Sequence, residues 1–226
     1  MTETSGTETG MTETGGTESG RAETGGTETG GAETGTTETG RAETRVLALV
    51  GSLRVGSINR QIAQLAAAVA PLGVTVEVFD ELGELPFYNE DSDGAVNGQP
   101  GAVPAAAARL RAAAAGADAA LVVTPEYNGT MPAVLKNAID WLSRPFGEGA
   151  LQRKPLAVIG GSLGRHGGVW AHDDTRKAFA IAGASVVEAI KLSLPIEILG
   201  GSAPADDARL SADVSAVVGK LVAEVG

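Results

Sequence analysis

Residues Val46–Arg60, VLALVGSLRVGSINR, decide the fold of this chain. Five consecutive apolar residues stop at Gly51, as expected of a short strand that is buried on both faces. The next ten residues hold two glycines, two serines, two arginines and one asparagine, and they lead into an alanine-rich segment with helical spacing. A strand, a polar loop and a helix in this order offer the helix N-terminus to an anion.

The same alternation continues along the chain. Apolar runs predict strands at 46–50, 74–79, 119–123, 155–159 and 185–190, and helical spacing predicts helices at 58–69, 105–115, 132–142, 169–182 and 206–225. The polar stretch 80–104, rich in Gly, Pro, Asn and Asp, is predicted to be a long loop. Strands that alternate with helices predict an α/β fold: a five-stranded parallel sheet with helices on both faces and right-handed crossovers.

The first 44 residues are a different kind of sequence. They repeat every five residues, with glutamate at 3, 8 and so on to 43, and they contain no Val, Ile, Leu, Phe, Tyr or Trp. Because such a segment buries too little apolar surface to offset backbone ordering, we predict a disordered acidic tail at 1–44 and one folded domain at 45–226. A solubilising tail and an interaction tail for a basic partner are both compatible with it.

Composition narrows the function classes. The chain carries a net charge of −11, of which the tail contributes −7 and the remainder −4, so neither part favours nucleic-acid binding. It has no cysteine, which excludes disulfides and thiolate chemistry, and no apolar run long enough to span a membrane. His166 and His172 are six residues apart with no acidic partner at a metal-site interval, so no metal site is predicted. We expect a cytoplasmic protein.

Three polar loops follow the first, third and fourth predicted strands: loop 1 (Gly51–Arg60), loop 2 (Thr124–Pro132) and loop 3 (Gly160–Gly168). The carboxyl ends of parallel strands meet at one edge of a sheet, where ligands bind in open α/β folds. The three loops are therefore expected to converge on one pocket.

Loop 1 has the composition of a phosphate site. Its two glycines allow close backbone approach, Ser52, Ser57 and Asn59 supply short polar groups, and Arg54 supplies a planar cation. Helix capping by Ser57 or Asn59 explains one of these residues. It does not explain all four, and the spacing fits neither an ATP-binding nor a dinucleotide-binding motif.

Loops 2 and 3 suit a flat aromatic ligand. In TPEYNGTMP, two prolines stiffen the backbone while Tyr127 and Asn128 offer one largely apolar and one polar group. In GGSLGRHGG, five glycines permit approach to a ring, with Arg165 and His166 near the rim. The alternative interpretation of loop 2 is an ordinary turn capped by Thr130, but its composition suits a flat aromatic ligand better.

Two motifs in these loops resemble those of the NADPH-dependent FMN reductases, a flavodoxin-like family that includes quinone, chromate and azo-dye reductases. The motifs are GSLR-x-GS-x-NR at Gly51–Arg60 and TPEYNG-x-x-P-x-x-LKN-x-I-D-W at Thr124–Trp141. The resemblance covers roughly residues 45–205 and excludes the tail. It implies a three-layer sandwich with strand order 2-1-3-4-5.

The resemblance also implies site residues. Ser52, Arg54, Ser57 and Asn59 match positions around the FMN phosphate, while Pro125, Glu126, Tyr127 and Asn128 match positions along the ribityl chain and ring. Ser162 and Gly164 match the glycine-rich segment on the other side of the flavin. No catalytic side chain is expected, because the cofactor performs the chemistry; Glu126 is expected to orient local backbone or to meet a neighbouring subunit.

The implied function is NAD(P)H-dependent reduction of FMN, with electrons passed to a small-molecule acceptor. Quinone, free flavin, azo compound and metal oxyanion all remain open as acceptors, as does the choice between NADPH and NADH. The resemblance further implies a homodimer or homotetramer. Two alternatives are an FMN-binding electron carrier without NAD(P)H activity, which the basic Arg54 disfavours, and a non-catalytic scaffold.

Overall fold

The structure of the protein is a computed structural model that describes residues 43–98 and 103–226. The predicted disorder of the tail falls outside these residues, apart from Glu43 and Thr44. Thr44 is the first residue of the first strand, one residue before the predicted domain boundary. Within the described residues, no helix has the length and apolarity needed to cross a bilayer.

Five strands and six helices form the domain, with four short 3₁₀ segments between them. The strands are β1 (Thr44–Val50), β2 (Val74–Phe79), β3 (Ala119–Val123), β4 (Pro155–Ser162) and β5 (Ser185–Pro195). The helices are α1 (Ile58–Ala68), α2 (Gly94–Asn97), α3 (Ala105–Ala115), α4 (Ala133–Leu142), α5 (Val169–Ile181) and α6 (Ala208–Val222).

The sheet is parallel throughout and has the order β2-β1-β3-β4-β5, which confirms the flavodoxin-like prediction. Alternate residues of the central strands face opposite layers: Leu47 and Leu49 pack with α3, α4 and α5, whereas Val46 and Ala48 pack with α1 and α6. Because both faces are covered, β1 and β3 are continuous apolar runs.

The structure differs from the prediction in the segment 80–104 and at the end of β4. The segment 80–104 is not a plain loop: it contains two 3₁₀ turns, at Leu82–Glu84 and Glu90–Ser92, and α2, with Asn89 and Asp93 as side-chain caps. β4 continues past Ile159 to Ser162, pairing with a β5 that is longer than predicted. Glycine is required at position 161 of this strand because a Cβ there would lie only 2.7 Å from Ile196 Cγ2.

Hydrogen bonds between neighbouring strands align the starts of the three loops along one edge of the sheet. The Gly51 N–H donates to the Val123 carbonyl at 2.9 Å, and the Thr124 N–H donates to the Ile159 carbonyl at 3.0 Å. The first residue after β1 therefore lies beside the end of β3, and the first residue after β3 lies beside the end of β4. This places loops 1, 2 and 3 together at the carboxyl edge of the sheet, as expected for a ligand site.

Candidate functional site

Loop 1 ends in the N-terminus of α1. Ser57 is the N-cap, and its hydroxyl accepts a hydrogen bond from the Arg60 N–H at 3.4 Å, which decides between the two predicted caps. The Ser57 N–H donates to the Arg54 carbonyl at 3.0 Å and closes the loop. Among the described residues, the N–H groups of Ile58 and Asn59 have no acceptor. These groups and the helix dipole favour an anion at this point.

The side chains of Ser52 and Arg54 in loop 1 form no hydrogen bond or ion pair with the part of the chain that the structure describes. Ser52 is only 4 % exposed, yet its hydroxyl forms no hydrogen bond with any described residue. Arg54 forms no ion pair with the described residues, and its Nη1 lies 3.4 Å from the position a Cβ on Gly56 would take, so the guanidinium folds back over the loop. Arg60, in contrast, pairs with Asp80. The donor set of loop 1 fits a phosphate.

The Asn59 side chain is bonded to the end of β4. Its Nδ2 donates to the Gly161 carbonyl at 2.9 Å, and its Oδ1 accepts from the Gly161 N–H at 2.8 Å. The side chain is buried and joins loop 1 to the end of β4. Asn59 therefore fixes the start of α1 against the end of β4, and its contact with a phosphate stays a prediction.

Thr124 fills the centre of the loop cluster. A Cβ on Gly51 would lie 2.3 Å from the Thr124 Oγ1, and a Cβ on Gly160 would lie 2.2 Å from the Thr124 carbonyl oxygen. Glycine is thus required on both sides of this buried residue, since any side chain would separate the three loops.

Loop 2 is a rigid hairpin-like turn. Tyr127 and Thr130 exchange two backbone hydrogen bonds of 3.0 and 3.1 Å, and the central residues Asn128 and Gly129 have φ values of +53° and +79°. Two positive φ values in an Asn-Gly pair are characteristic of a type I′ turn. Tyr127 and Asn128 are both exposed at its tip, where they are available to a ligand.

Glu126 is directed towards helix α5. Its Oε2 accepts a hydrogen bond from the Ala171 N–H at 3.2 Å, in the first turn of that helix. A carboxylate at this position also interacts favourably with the helix dipole. Glu126 therefore orients local backbone, in keeping with one of its two expected roles, and its carbonyl lies 3.5 Å from the Ser162 hydroxyl of loop 3.

Loop 3 lies beside loop 2. Ser162 is the last residue of β4, and Gly164 sits in open space with no atom within 4 Å of its Cβ position. Pro125 of loop 2 is buried. The structure thus brings Glu126 and Ser162 together.

His172 of α5 bonds to the first residue of loop 2 and to β5. It is completely buried in α5, with Nε2 2.9 Å from the Thr124 carbonyl oxygen and Nδ1 2.7 Å from the Ser193 Oγ. Because a carbonyl only accepts, Nε2 carries the proton and Nδ1 accepts from Ser193. Burial lowers the pKa of His172 below its ordinary value of 6.5 and the nearby Arg176 adds to this, although the Thr124 carbonyl opposes it.

This lowered pKa predicts a pH-dependent stability. Below pH 6.5 the unfolded chain binds a proton that folded His172 resists, so the free energy of unfolding falls as the pH drops through that value. One such group contributes a slope of up to about 1.4 kcal/mol per pH unit. Urea unfolding between pH 5 and 7 measures it, and His172→Gln is expected to reduce the slope. An unchanged slope in both His172→Gln and His172→Asn contradicts the prediction.

Sequence reasoning missed two sets of residues. His172 and Arg176 are polar residues four apart on the buried face of α5, a pattern that does indicate a buried polar network. Asn137 and Trp141, also four apart, hold the segment before α2: both donate to the Pro86 carbonyl, at 3.0 and 2.9 Å. Within the described residues, no group of three His, Asp or Glu side chains forms a metal site.

A parallel 2-1-3-4-5 sheet with helices on both faces, and a polar loop between β1 and the N-terminus of α1, defines a protein of flavodoxin-like fold. The family model "NADPH-dependent FMN reductase" matches residues 44–197, and the chain belongs to this family. It is therefore an FMN-dependent oxidoreductase that uses NAD(P)H.

Individual proteins show the same relationship. The chain is 41 % identical over 132 residues to a 2-hydroxy-1,4-benzoquinone reductase of Burkholderia sp, covering 58 % of this chain and 68 % of that protein. It is 38 % identical over 158 residues to a quinone reductase of Pseudomonas putida, covering 70 % and 78 %. Among solved structures, the flavoenzyme NAD(P)H:(acceptor) oxidoreductase FerB of Paracoccus denitrificans aligns with a TM-score of 0.68, 28 % identity and coverage of 81 % and 99 %.

Proposed function

We propose that this chain is a cytoplasmic NAD(P)H:quinone reductase. The observation that carries the proposal is loop 1, where helix N–H groups, the Ser52 hydroxyl and the Arg54 guanidinium have no partner among the described residues, which supports a phosphate site there. Two similar proteins are named as reductases of quinones. Overall, one NAD(P)H is oxidised to NAD(P)⁺ while one quinone gains two electrons and two protons, one of which comes from solvent.

Each of the three loops would contact a different part of FMN. Ser52, Arg54, Ser57 and the N–H groups at the start of α1 would bind the phosphate, and Asn59 keeps that loop against β4. Pro125, Glu126, Tyr127 and Asn128 of loop 2 and Ser162 and Gly164 of loop 3 would hold the rest of the flavin. The bound flavin supplies the hydride-accepting ring; the chain binds and orients it and contributes no catalytic side chain.

An anaerobic half-reaction tests this function. Full-length protein, saturated with FMN and mixed with NADPH or NADH without an acceptor, is expected to lose the absorbance of oxidised flavin, and a quinone added afterwards is expected to restore it. Flavin that binds but stays oxidised identifies the alternative, an FMN-binding electron carrier. Protein that does not retain FMN identifies a scaffold, and either result overturns the proposal.

Arg54 and Arg60 form a matched pair for testing the phosphate site. Arg54→Ala is expected to weaken FMN binding by about 1.5–3 kcal/mol, or about 10- to 150-fold, because it removes a charge-assisted contact. Arg60→Ala loses the same charge, but Arg60 pairs with Asp80, so FMN affinity should change less than about threefold. Fluorescence titration of FMN measures both, and equal effects of the two substitutions exclude Arg54 from the site.

We also propose that the protein is a homo-oligomer, as the family resemblance implies. A groove of ≈ 640 Å³ lies between α4 and α5, beside loop 2, and is lined by Met131, Ala178 and Ile181 among others. Ile181 and the neighbouring Phe146 are large apolar residues left exposed here, and a second copy of the chain would cover them. Sedimentation velocity at micromolar concentration should show a dimer or tetramer, and Ile181→Asp should shift it towards monomer.

A further inference from the structure

Loops 2 and 3 expose an aromatic surface that the binding of FMN phosphate does not explain. Trp170 is 60 % exposed, and His166 is also exposed. We call Arg165, His166 and Trp170 the rim shelf. Exposed aromatic side chains grouped in this way are typical of a binding surface.

Contacts make the rim shelf continuous. A Cβ on Gly129 would lie 3.8 Å from the Trp170 Cε3, so Trp170 packs against the turn of loop 2. The His166 and Trp170 rings are 5.9 Å apart and tilted by 38°. The Arg165 Nε donates to the His166 Nε2 at 2.9 Å. The shelf therefore runs from the tip of loop 2 to a guanidinium at its outer end.

Arg165 is available to an anion, whereas the carboxylates of Glu126 in loop 2 and of Asp173 and Asp174 in α5 already have hydrogen-bond or ion-pair partners. Within the described residues, Arg165 forms no ion pair. Asp173 pairs with Arg176 at 2.8 Å, Asp174 accepts from the Thr130 hydroxyl, and Glu126 accepts from backbone. The rim shelf thus combines flat aromatic groups with one guanidinium that has no ion-pair partner among the described residues.

We propose that the rim shelf is the acceptor site and that Arg165 makes the enzyme prefer aromatic acceptors with an anionic substituent. This inference rests on the proposed function. A planar ring stacks on Trp170, and a carboxylate or sulfonate on that ring reaches the guanidinium, which matches such groups with two parallel hydrogen bonds. Loops 2 and 3 also flank the carboxyl edge of the sheet that carries the proposed FMN site, so an acceptor on the shelf would lie beside that site.

A pair of acceptors isolates the charge. 1,4-Naphthoquinone and 1,4-naphthoquinone-2-sulfonate differ by one anionic group, and comparison of each variant with wild type cancels the difference in their reduction potentials. Arg165→Ala is expected to lower kcat/KM for the sulfonate about three- to tenfold through KM, leaving the parent quinone within twofold. Arg165→Lys should recover part of the loss. Arg209→Ala, an exposed arginine of α6 on the other face of the sheet, is the control.

Binding without turnover gives a second readout. Isothermal titration of the sulfonate into oxidised, FMN-loaded protein without NAD(P)H should show a three- to tenfold weaker Kd in Arg165→Ala. Trp170→Ala should weaken both quinones alike, because stacking does not depend on the sulfonate. Raising NaCl from 20 to 200 mM should reduce only the wild-type preference for the sulfonate.

The outcomes separate this inference from the proposed function. If Arg165→Ala affects both quinones equally, or neither, the acceptor preference is wrong. If it instead slows flavin reduction by NADPH but not by NADH, Arg165 binds the nucleotide 2′-phosphate and the inference is also wrong. If wild-type protein does not reduce FMN with NAD(P)H, the proposed function fails, and the titration still decides whether the shelf binds the anionic ring.

Discussion

Replacing Gly160 with alanine is expected to lower the free energy of unfolding by about 3 kcal/mol or more. Gly160 has a φ of +152°, and its new Cβ would lie 2.2 Å from the Thr124 carbonyl oxygen and 2.7 Å from the Asn59 Oδ1. Neither neighbour can move away easily. The Thr124 carbonyl belongs to the backbone of a buried residue, and the Asn59 side chain is held by two hydrogen bonds to Gly161. Urea unfolding measures the loss.

The same substitution should also weaken FMN binding, because it separates the loops that form the site. Gly164→Ala is the control: it makes the same chemical change in loop 3, but no atom lies within 4 Å of the new Cβ. Its unfolding free energy should stay within about 0.5 kcal/mol of wild type. Equal stability of the two variants contradicts the close packing of Gly160 against Thr124.

The second large effect is expected at Asp93, where Asp93→Asn should lower the free energy of unfolding by about 3 kcal/mol. Its carboxylate is completely buried and receives two hydrogen bonds from Arg111, of 2.8 and 2.6 Å. The Arg111 Nε also donates to the Trp141 carbonyl at 2.9 Å. Loss of the carboxylate leaves a largely buried guanidinium without its counter-charge.

A matched control and a pH series sharpen this test. Glu77→Gln also removes one carboxylate charge, but the Glu77–Arg45 pair is more than half exposed, so its cost should stay below about 1 kcal/mol. The hydrogen bonds from Arg111 lower the pKa of Asp93 below its ordinary value of 3.8. The stabilisation is therefore present above pH 3.8 and is lost as the pH falls through the folded-state pKa, a dependence that Asp93→Asn should lack. Similar costs for the two variants contradict a structural role for the buried pair.

Asp93 also illustrates what the sequence pattern left out. A run such as NEDSDG reads as a polar loop, because turn-forming residues describe local conformation and carry no information on distant partners. Its Arg111 lies 18 residues further on in α3. The helical turns of this segment form because that ion pair and the hydrogen bonds from Asn137 and Trp141 anchor them.

The end of β4 shows a second limit. Glycines at 160 and 161 predicted the start of a loop, since glycine is disfavoured inside strands. In the structure both residues pair with β5. Glycine is needed at these positions because a Cβ on Gly160 would collide with Thr124 and a Cβ on Gly161 with Ile196. The requirement for glycine was readable from the sequence, but the neighbours that impose it were not.

The sequence by itself determined the strand and helix alternation, the parallel sheet and the convergence of three loops, because these depend on hydrophobic period and chain order. It also determined the composition of loop 1, from which a phosphate site is predicted. Only the tertiary structure decided that Asn59 binds Gly161, 102 residues away, that His172 supports Thr124, and that Arg165 ends an aromatic shelf. Such partners meet only when helices and strands pack, so no local pattern specifies them.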